Sequence, residues 1–265
     1  MTQQNRFSSE KITKPKNIST TDDNGFPMNE FIKSKTEIVI NSHVIEVLEF
    51  DEKALSDELS SQYADELFTD FNKAVTKRKA EFIAGRIACR HRLESFGNGE
   101  RVRVNSDRSP AWPDGFTGSI SHDGAIACAV VSPKDDETHS IGIDLCVSMT
   151  DNDAVQVADN ISTLEELNRF NDTSFLTMDA LRLIFSSKES LYKAVYPLVK
   201  RFIDFKEVEI ISVEGNNDSG FITAAAVNKN DLPLSVVEEF IVHYQRFSLN
   251  TVSGFITLSS NRIKM

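Results

Sequence analysis

The chain has 265 residues, 40% hydrophobic and 26% charged, an ordinary globular mixture that excludes a disordered or fibrous protein. Lys and Arg number 29 against 40 Asp and Glu, a net charge of −11, so the surface as a whole does not suit nucleic acid or an anionic membrane. The three cysteines, Cys89, Cys128 and Cys146, form no CxxC pair and no disulfide framework, which fits a reducing, cytoplasmic setting.

In chain order, residues 1–35 are polar, rich in Ser, Thr, Asn, Lys and Gln, and read as a flexible leader without the apolar stretch of a signal peptide. A β-branched run from Thr36 to Phe50 predicts a strand. From Asp51 to about Phe96 apolar residues recur at helical spacing (Leu55, Leu59, Tyr63, Leu67, Phe71, then Phe82, Ile83, Ile87, Leu93), and Gly97-Asn98-Gly99 ends the pattern. Short strands follow: RVRVN, FTGSIS, AIACAVV and SIGIDL. Asp151 to Phe185 is again helical, and the last of these helices runs through FSSKESLYKAVYP to a stop at Pro197. The remainder alternates as strands. No run approaches the roughly 18 to 20 apolar residues of a membrane-spanning helix. The order suggests two α+β halves, residues 36–146 and 147–265.

Three clusters could carry chemistry. KRKAEFIAGRIACRHR, Lys77 to Arg92, places Arg78, Phe82, Arg86 and Arg90 four apart on a helix, a stripe suited to a compact anion, although a solvated face explains its composition equally simply. In the run from Pro110 to Val131, Ser121 and His122 end a strand at Asp123-Gly124, where the pair could hold an anion or serve structure alone. The third cluster is split between IGIDLC and FSSKESLYKA. Asp144 ends an apolar strand, where a carboxylate is costly unless paired or holding a cation. Glu189 and Lys193 sit one helical turn apart, which permits a plain salt bridge, or a carboxylate for Mg²⁺ beside a lysine for a phosphoryl group.

Taken in order, KRKAEFIAGRIA, the WPDG-x-x-GSISH run from Trp112 to His122, GIDL from Gly142 to Leu145, and FSSKESLYKA resemble the 4′-phosphopantetheinyl transferases of the surfactin-synthetase type, on the enterobactin synthase component D branch. The likeness covers about residues 45 to 260 and leaves out the leader. It implies a pseudo-dimer of two similar α/β halves with coenzyme A in the cleft between them. The implied activity is Mg²⁺-dependent transfer of the phosphopantetheine arm of CoA to a serine of an apo carrier protein, releasing adenosine 3′,5′-bisphosphate. The carrier would belong to a nonribosomal peptide, polyketide or polyunsaturated fatty acid synthase, with siderophore synthesis the natural setting. A monomer is expected.

Residue by residue, the resemblance implies that Arg78 and Arg86 contact CoA, that Arg108 meets its 3′-phosphate, and that Ser121 and His122 bind phosphate. Asp144 and Glu189 match Mg²⁺ ligands, and Lys193 the lysine on the pyrophosphate; Lys188 and the segment YPLVKRFIDF match the edge of the pantetheine channel. Glu189 is expected to take the serine proton, directly or through a metal-bound water, while Lys193 and His122 stabilise the leaving group. The family usually carries an acid two residues after the aspartate, and here that place is Cys146, a poor ligand for hard Mg²⁺. That departure keeps a second reading open, a relative that binds CoA or a carrier without chemistry.

Overall fold

The computed structural model describes residues 30–68, 70–134, 140–171, 173, 175–228, 239–249 and 252–261. Most of the expected leader lies outside the described residues, but its last few residues already belong to a strand. β1 (Ile32–Ile40) and β2 (His43–Phe50) form a hairpin, so the expected single strand turns back on itself at Asn41-Ser42, both at positive φ (47° and 65°). Such a turn matches the right-handed twist of the strands it joins.

The stretch expected to be helical from Asp51 is mostly a series of tight turns. One short helix, α1 (Asp57–Ser61), is capped by the Ser56 side chain, and only α2 (Thr76–Glu94) is long. A small hairpin of β3 (Arg103–Val104) and β4 (Pro110–Ala111) leads to β5 (Phe116–Asp123) and β6 (Ile126–Pro133). Then come β7 (Ser140–Cys146), the helices α3 (Asp151–Ile161), α4 (Leu164–Asn168) and α5 (Thr177–Val199), and the strands β8 (Val208–Gly215), β9 (Ser219–Ala226), β10 (Glu239–Leu249) and β11 (Val252–Asn261). Pro197 does not stop α5. The helix continues to Val199 and ends at Lys200, whose backbone is left-handed (φ 50°).

Two antiparallel sheets result, β1-β2-β6-β5 and β7-β11-β10-β9-β8. The first covers one face with α2, where Ala80, Ile83, Ala84, Ile87 and Ala88 meet Leu48, Ala127 and Ala129. The second covers one face with α5, whose Leu183, Ile184, Leu191 and Val195 meet Ile222, Phe240, Val242 and Phe255. Their other faces pack on each other, with Ile45, Val47, Cys128 and Val130 against Ile141, Ile143, Ile256 and Leu258. The layers therefore run helix, sheet, sheet, helix. Period-two alternation explains how one strand serves two cores: in β11, Phe255 faces α5 while Ile256 and Leu258 face the other sheet.

β7 closes the first half in the sequence reading, yet it pairs with β11 at the edge of the second sheet. β5 is the opposite sheet's edge strand, and the two edges lie side by side. This meeting of edges positions the site. Among the described residues no helix is long and apolar enough to cross a membrane.

Candidate active site

The site begins with the close approach of α5 to β7. On β7, Ile141, Ile143 and Leu145 enter the seam between the sheets, so alternation turns Gly142, Asp144 and Cys146 to the side of α5. α5 answers with small side chains. Ser186 Oγ lies 2.9 Å from Thr257 Oγ1 on β11, Ser140 donates to the Ala194 carbonyl, and the Ser190 backbone rests on Gly142. The serines of the FSSKES run are thus packing residues that let the helix descend.

That descent brings Glu189 and Lys193 beside Asp144. Lys193 Nζ donates to Asp144 Oδ1 at 2.6 Å, to Ser121 Oγ at 3.1 Å and to the Ile143 carbonyl at 3.1 Å. Ser121, on β5, donates to the same Asp144 oxygen at 2.9 Å and accepts from the Leu145 nitrogen at 3.2 Å. Asp123 fastens the same two strands one step further on, accepting from the nitrogens of Val147 and Ser148 at 2.7 and 2.8 Å. The cleft so formed, about 570 Å³, is lined by Ser121, His122, Asp144, Cys146, Phe185, Glu189 and Lys193, among others. Both acids, Asp144 and Glu189, come from the second sheet and its helix; the partners from the first sheet are Ser121 and His122.

The charge balance is set by burial. Asp144 is 5% exposed, and its second oxygen, Oδ2, is buried with no hydrogen-bond partner. A half-satisfied buried carboxylate is costly unless something else completes it. Desolvation lifts the Glu189 carboxyl above the usual range, opposed by Lys193 and reinforced by Asp144.

His122 Nε2 lies 2.7 Å from Arg78 Nη1. A guanidinium only donates, so this nitrogen accepts and the ring is neutral, its proton on Nδ1 facing Glu81 Oε2 at 3.5 Å. Burial, then the charges of Arg78 and Lys193, push the imidazole down to about 4.

Arg78 also borders a second hollow of about 280 Å³, lined by Phe68, Lys73, Phe82, Val104 and Arg108 among others. Arg78 and Arg108 therefore stand together, with Arg78 touching His122 at the main cleft.

Two expected ligand contacts are not brought there. Arg86 is 4% exposed, stacks on Phe82 at 4.5 Å, and has Nε 3.8 Å from Glu66 Oε2. Its guanidinium is buried and faces the turn containing Glu66. Lys188 is equally committed, with Nζ 2.7 Å from Glu166 Oε1 and 3.0 Å from the Phe205 carbonyl. Neither hollow is lined by Lys188 or by the YPLVKRFIDF segment. Glu166 itself is a capping-box residue for α4 and also accepts from the Ile210 nitrogen at 2.9 Å. The spacing Thr163-x-x-Glu166 was the available signal for the cap, but nothing in sequence linked it to Lys188.

The donor set suits a hard divalent cation. Asp144 offers a buried, unpartnered oxygen, and Glu189 lines the same cleft. Among the described residues no group of three or more His, Cys, Asp or Glu side chains gathers to hold a metal. An ion here would complete its shell with water and substrate oxygens, the habit of Mg²⁺. Cys146 adds nothing: burial, with Asp123 and Asp144 adding to it, pushes its thiol up to about 12.

Residues 66–132 match the 4′-phosphopantetheinyl transferase N-terminal domain, and residues 140–237 match the 4′-phosphopantetheinyl transferase superfamily. Enterobactin synthase component D of Escherichia coli is 33% identical over 181 residues, covering 67% of this chain and 77% of that protein. The same-named protein of Salmonella typhi is 40% identical over 118 residues, 44% of this chain and 48% of its own length, so that match spans about half of the relative. The 4′-phosphopantetheinyl transferase PptT of Mycobacterium tuberculosis is 33% identical over 141 residues, 52% of this chain and 60% of that protein. The chain belongs to the 4′-phosphopantetheinyl transferase superfamily, on the branch that includes enterobactin synthase component D, and is an enzyme of that class.

Proposed function

We propose that the protein transfers the 4′-phosphopantetheine arm of CoA to a serine of an apo carrier protein in the cytoplasm, and that siderophore peptide synthesis supplies the carrier. The observation that carries this reading is the juncture of β5, β7 and α5. There, Ser121 and Lys193 converge on one oxygen of Asp144 while its other oxygen is buried and unpartnered. In this reading the two α/β halves form a pseudo-dimer with CoA in the cleft.

In this reading the nucleotide end of CoA, with its 3′-phosphate, enters the hollow lined by Arg78, Phe82 and Arg108, whose guanidinium groups suit a compact anion although Asp70 also lines it. Arg78 joins this hollow to the main cleft, so the diphosphate bridge falls beside Ser121, His122 and Lys193. Asp144 and Glu189 would hold Mg²⁺. Once bound, the ion would neutralise charge gathering on the diphosphate.

The chain's own groups do the rest. Glu189, whose carboxyl is lifted by burial, accepts the proton of the incoming serine hydroxyl. The new serine oxygen–phosphorus bond forms as the bond to the bridging diphosphate oxygen breaks, and Lys193 balances the charge left on that oxygen. His122, neutral in the site, stands in the same cleft as Lys193 to steady the leaving group.

Mass spectrometry of an apo carrier domain after incubation with CoA and Mg²⁺ tests the reading. A gain of one phosphopantetheine is expected, lost in Glu189→Gln while CoA still binds. CoA binding with no transfer by the unaltered protein favours the non-catalytic alternative; a near-normal rate in Glu189→Gln removes the proposed base.

A further inference from the structure

The loop between β3 and β4 is folded and tethered by one carboxylate. Asp107 Oδ1 accepts from the Ser109 nitrogen at 3.0 Å and from its hydroxyl at 2.5 Å. Oδ2 accepts from the Tyr196 hydroxyl at 3.1 Å and from Lys200 Nζ at 3.0 Å. Tyr196 lies in the last turn of α5, and Lys200 caps that helix. One oxygen thus shapes a loop of the first half, and the other ties that loop to the helix of the second. The Ser109 and Lys200 contacts hold the Asp107 carboxyl well below the usual carboxylate range.

The next residue, Arg108, has φ of 67°, a left-handed backbone that residues with a β-carbon seldom adopt, and its nitrogen closes the turn on the Asn105 carbonyl at 2.9 Å. Arg108 lines the hollow shared with Arg78 and with the Lys73–Asp70 pair. The Asp107–Lys200 pair is solvent-exposed, and exposed pairs contribute little to global stability. Its effect is therefore to be sought in geometry: a strained residue stays strained only where its surroundings over-determine it.

We propose that Asp107 is a positioning residue which, by latching the loop onto Tyr196 and Lys200, holds Arg108 in place to read the 3′-phosphate of CoA. The proposal rests on the assignment of Arg108 to that phosphate. It makes recognition of the nucleotide end depend on a contact between the two halves.

The test compares CoA with 3′-dephospho-CoA as substrates. Asp107→Ala should raise KM for CoA about two- to fivefold, as expected for an exposed charge network, with kcat within about twofold. KM for 3′-dephospho-CoA and the unfolding midpoint should stay unchanged. The combined Tyr196→Phe and Lys200→Met variant, which spares the Ser109 bonds, should reproduce the effect, and Asp107→Ala should add nothing in an Arg108→Ala background. If Arg108→Ala raises KM for CoA and for 3′-dephospho-CoA by the same factor, or for neither, the assignment of Arg108 falls and the latch with it. If Arg108→Ala raises KM for CoA alone but Asp107→Ala does not, or the combined variant is neutral, only the latch falls.

Discussion

Gly142 lies directly beneath the backbone of Ser190: a β-carbon there would collide with the Ser190 carbonyl oxygen and stand 2.6 Å from the Ala194 nitrogen. The spacing of β7 and α5, and with it the distance between Asp144 and the Glu189–Lys193 turn, is set by the lack of a side chain at this position. Gly142→Ala should therefore push the helix off the strand, destabilising the fold by about 1–3 kcal/mol, as overpacking does. Activity should fall further than stability explains. Urea unfolding beside the transfer assay checks this; a variant of unaltered stability and rate would show that the helix can yield freely.

Cys146→Glu should restore a third acid at the cleft. The added carboxylate would share a buried corner with Asp123 and Asp144, so the metal-free variant should be less stable by about 1–3 kcal/mol. Mg²⁺ should raise its melting temperature more than that of the unaltered protein and lower the concentration needed for half-maximal rate. Identical Mg²⁺ titrations of the two proteins would show that position 146 does not face the ion.

His122 gives stability a pH dependence of predictable sign. Its pKa falls from 6.5 to about 4 on folding, so between those values the unfolded chain binds a proton that the native state refuses. Stability should be lost as pH falls through about 6.5 and the loss should level off near 4. Relative to His122→Asn, the protein should lose on the order of 1–2 kcal/mol between about pH 7 and about pH 5. Parallel stability profiles for the two would place the imidazole in open solvent.

Lys188 and Glu166 should behave as structure. Lys188→Met leaves a carboxylate buried without its cation and should cost about 3 kcal/mol, while KM for CoA is unchanged at temperatures where the variant is folded. Joining it to Glu166→Gln should cost less than the sum of the single changes. A large rise in KM with stability intact would return Lys188 to the substrate channel.

These residues also show how far the sequence could be read. Ser121, His122, Asp144, Glu189 and Lys193 each sit in a short run of the sequence, and strand or helix period brings all five to one cleft. The helical stripe misled. Arg78 and Arg86 are eight residues apart, which carries a helix about 80° round, so one reaches the cleft and the other goes under Phe82 to Glu66. Likewise Lys188 and Glu189, adjacent in the chain, point about 100° apart. Between Leu55 and Phe71 the apolar residues do recur every fourth position, but a side-chain cap at Ser56 and successive tight turns bury them without a continuous helix. Pairings such as Arg86 with Glu66, or Asp107 with Lys200, depend on which strands become neighbours. No local pattern records that.

The aliphatic seam between the two sheets has a consequence for how substrates get in. A protein with a hinge between its lobes can open wide and close on its cargo, but here Val47, Val130, Ile143 and Leu258 join the two sheets in one buried cluster. Parting them would expose that grease and break the Ser121–Asp144 bond together. Substrate entry cannot therefore depend on parting the two sheets.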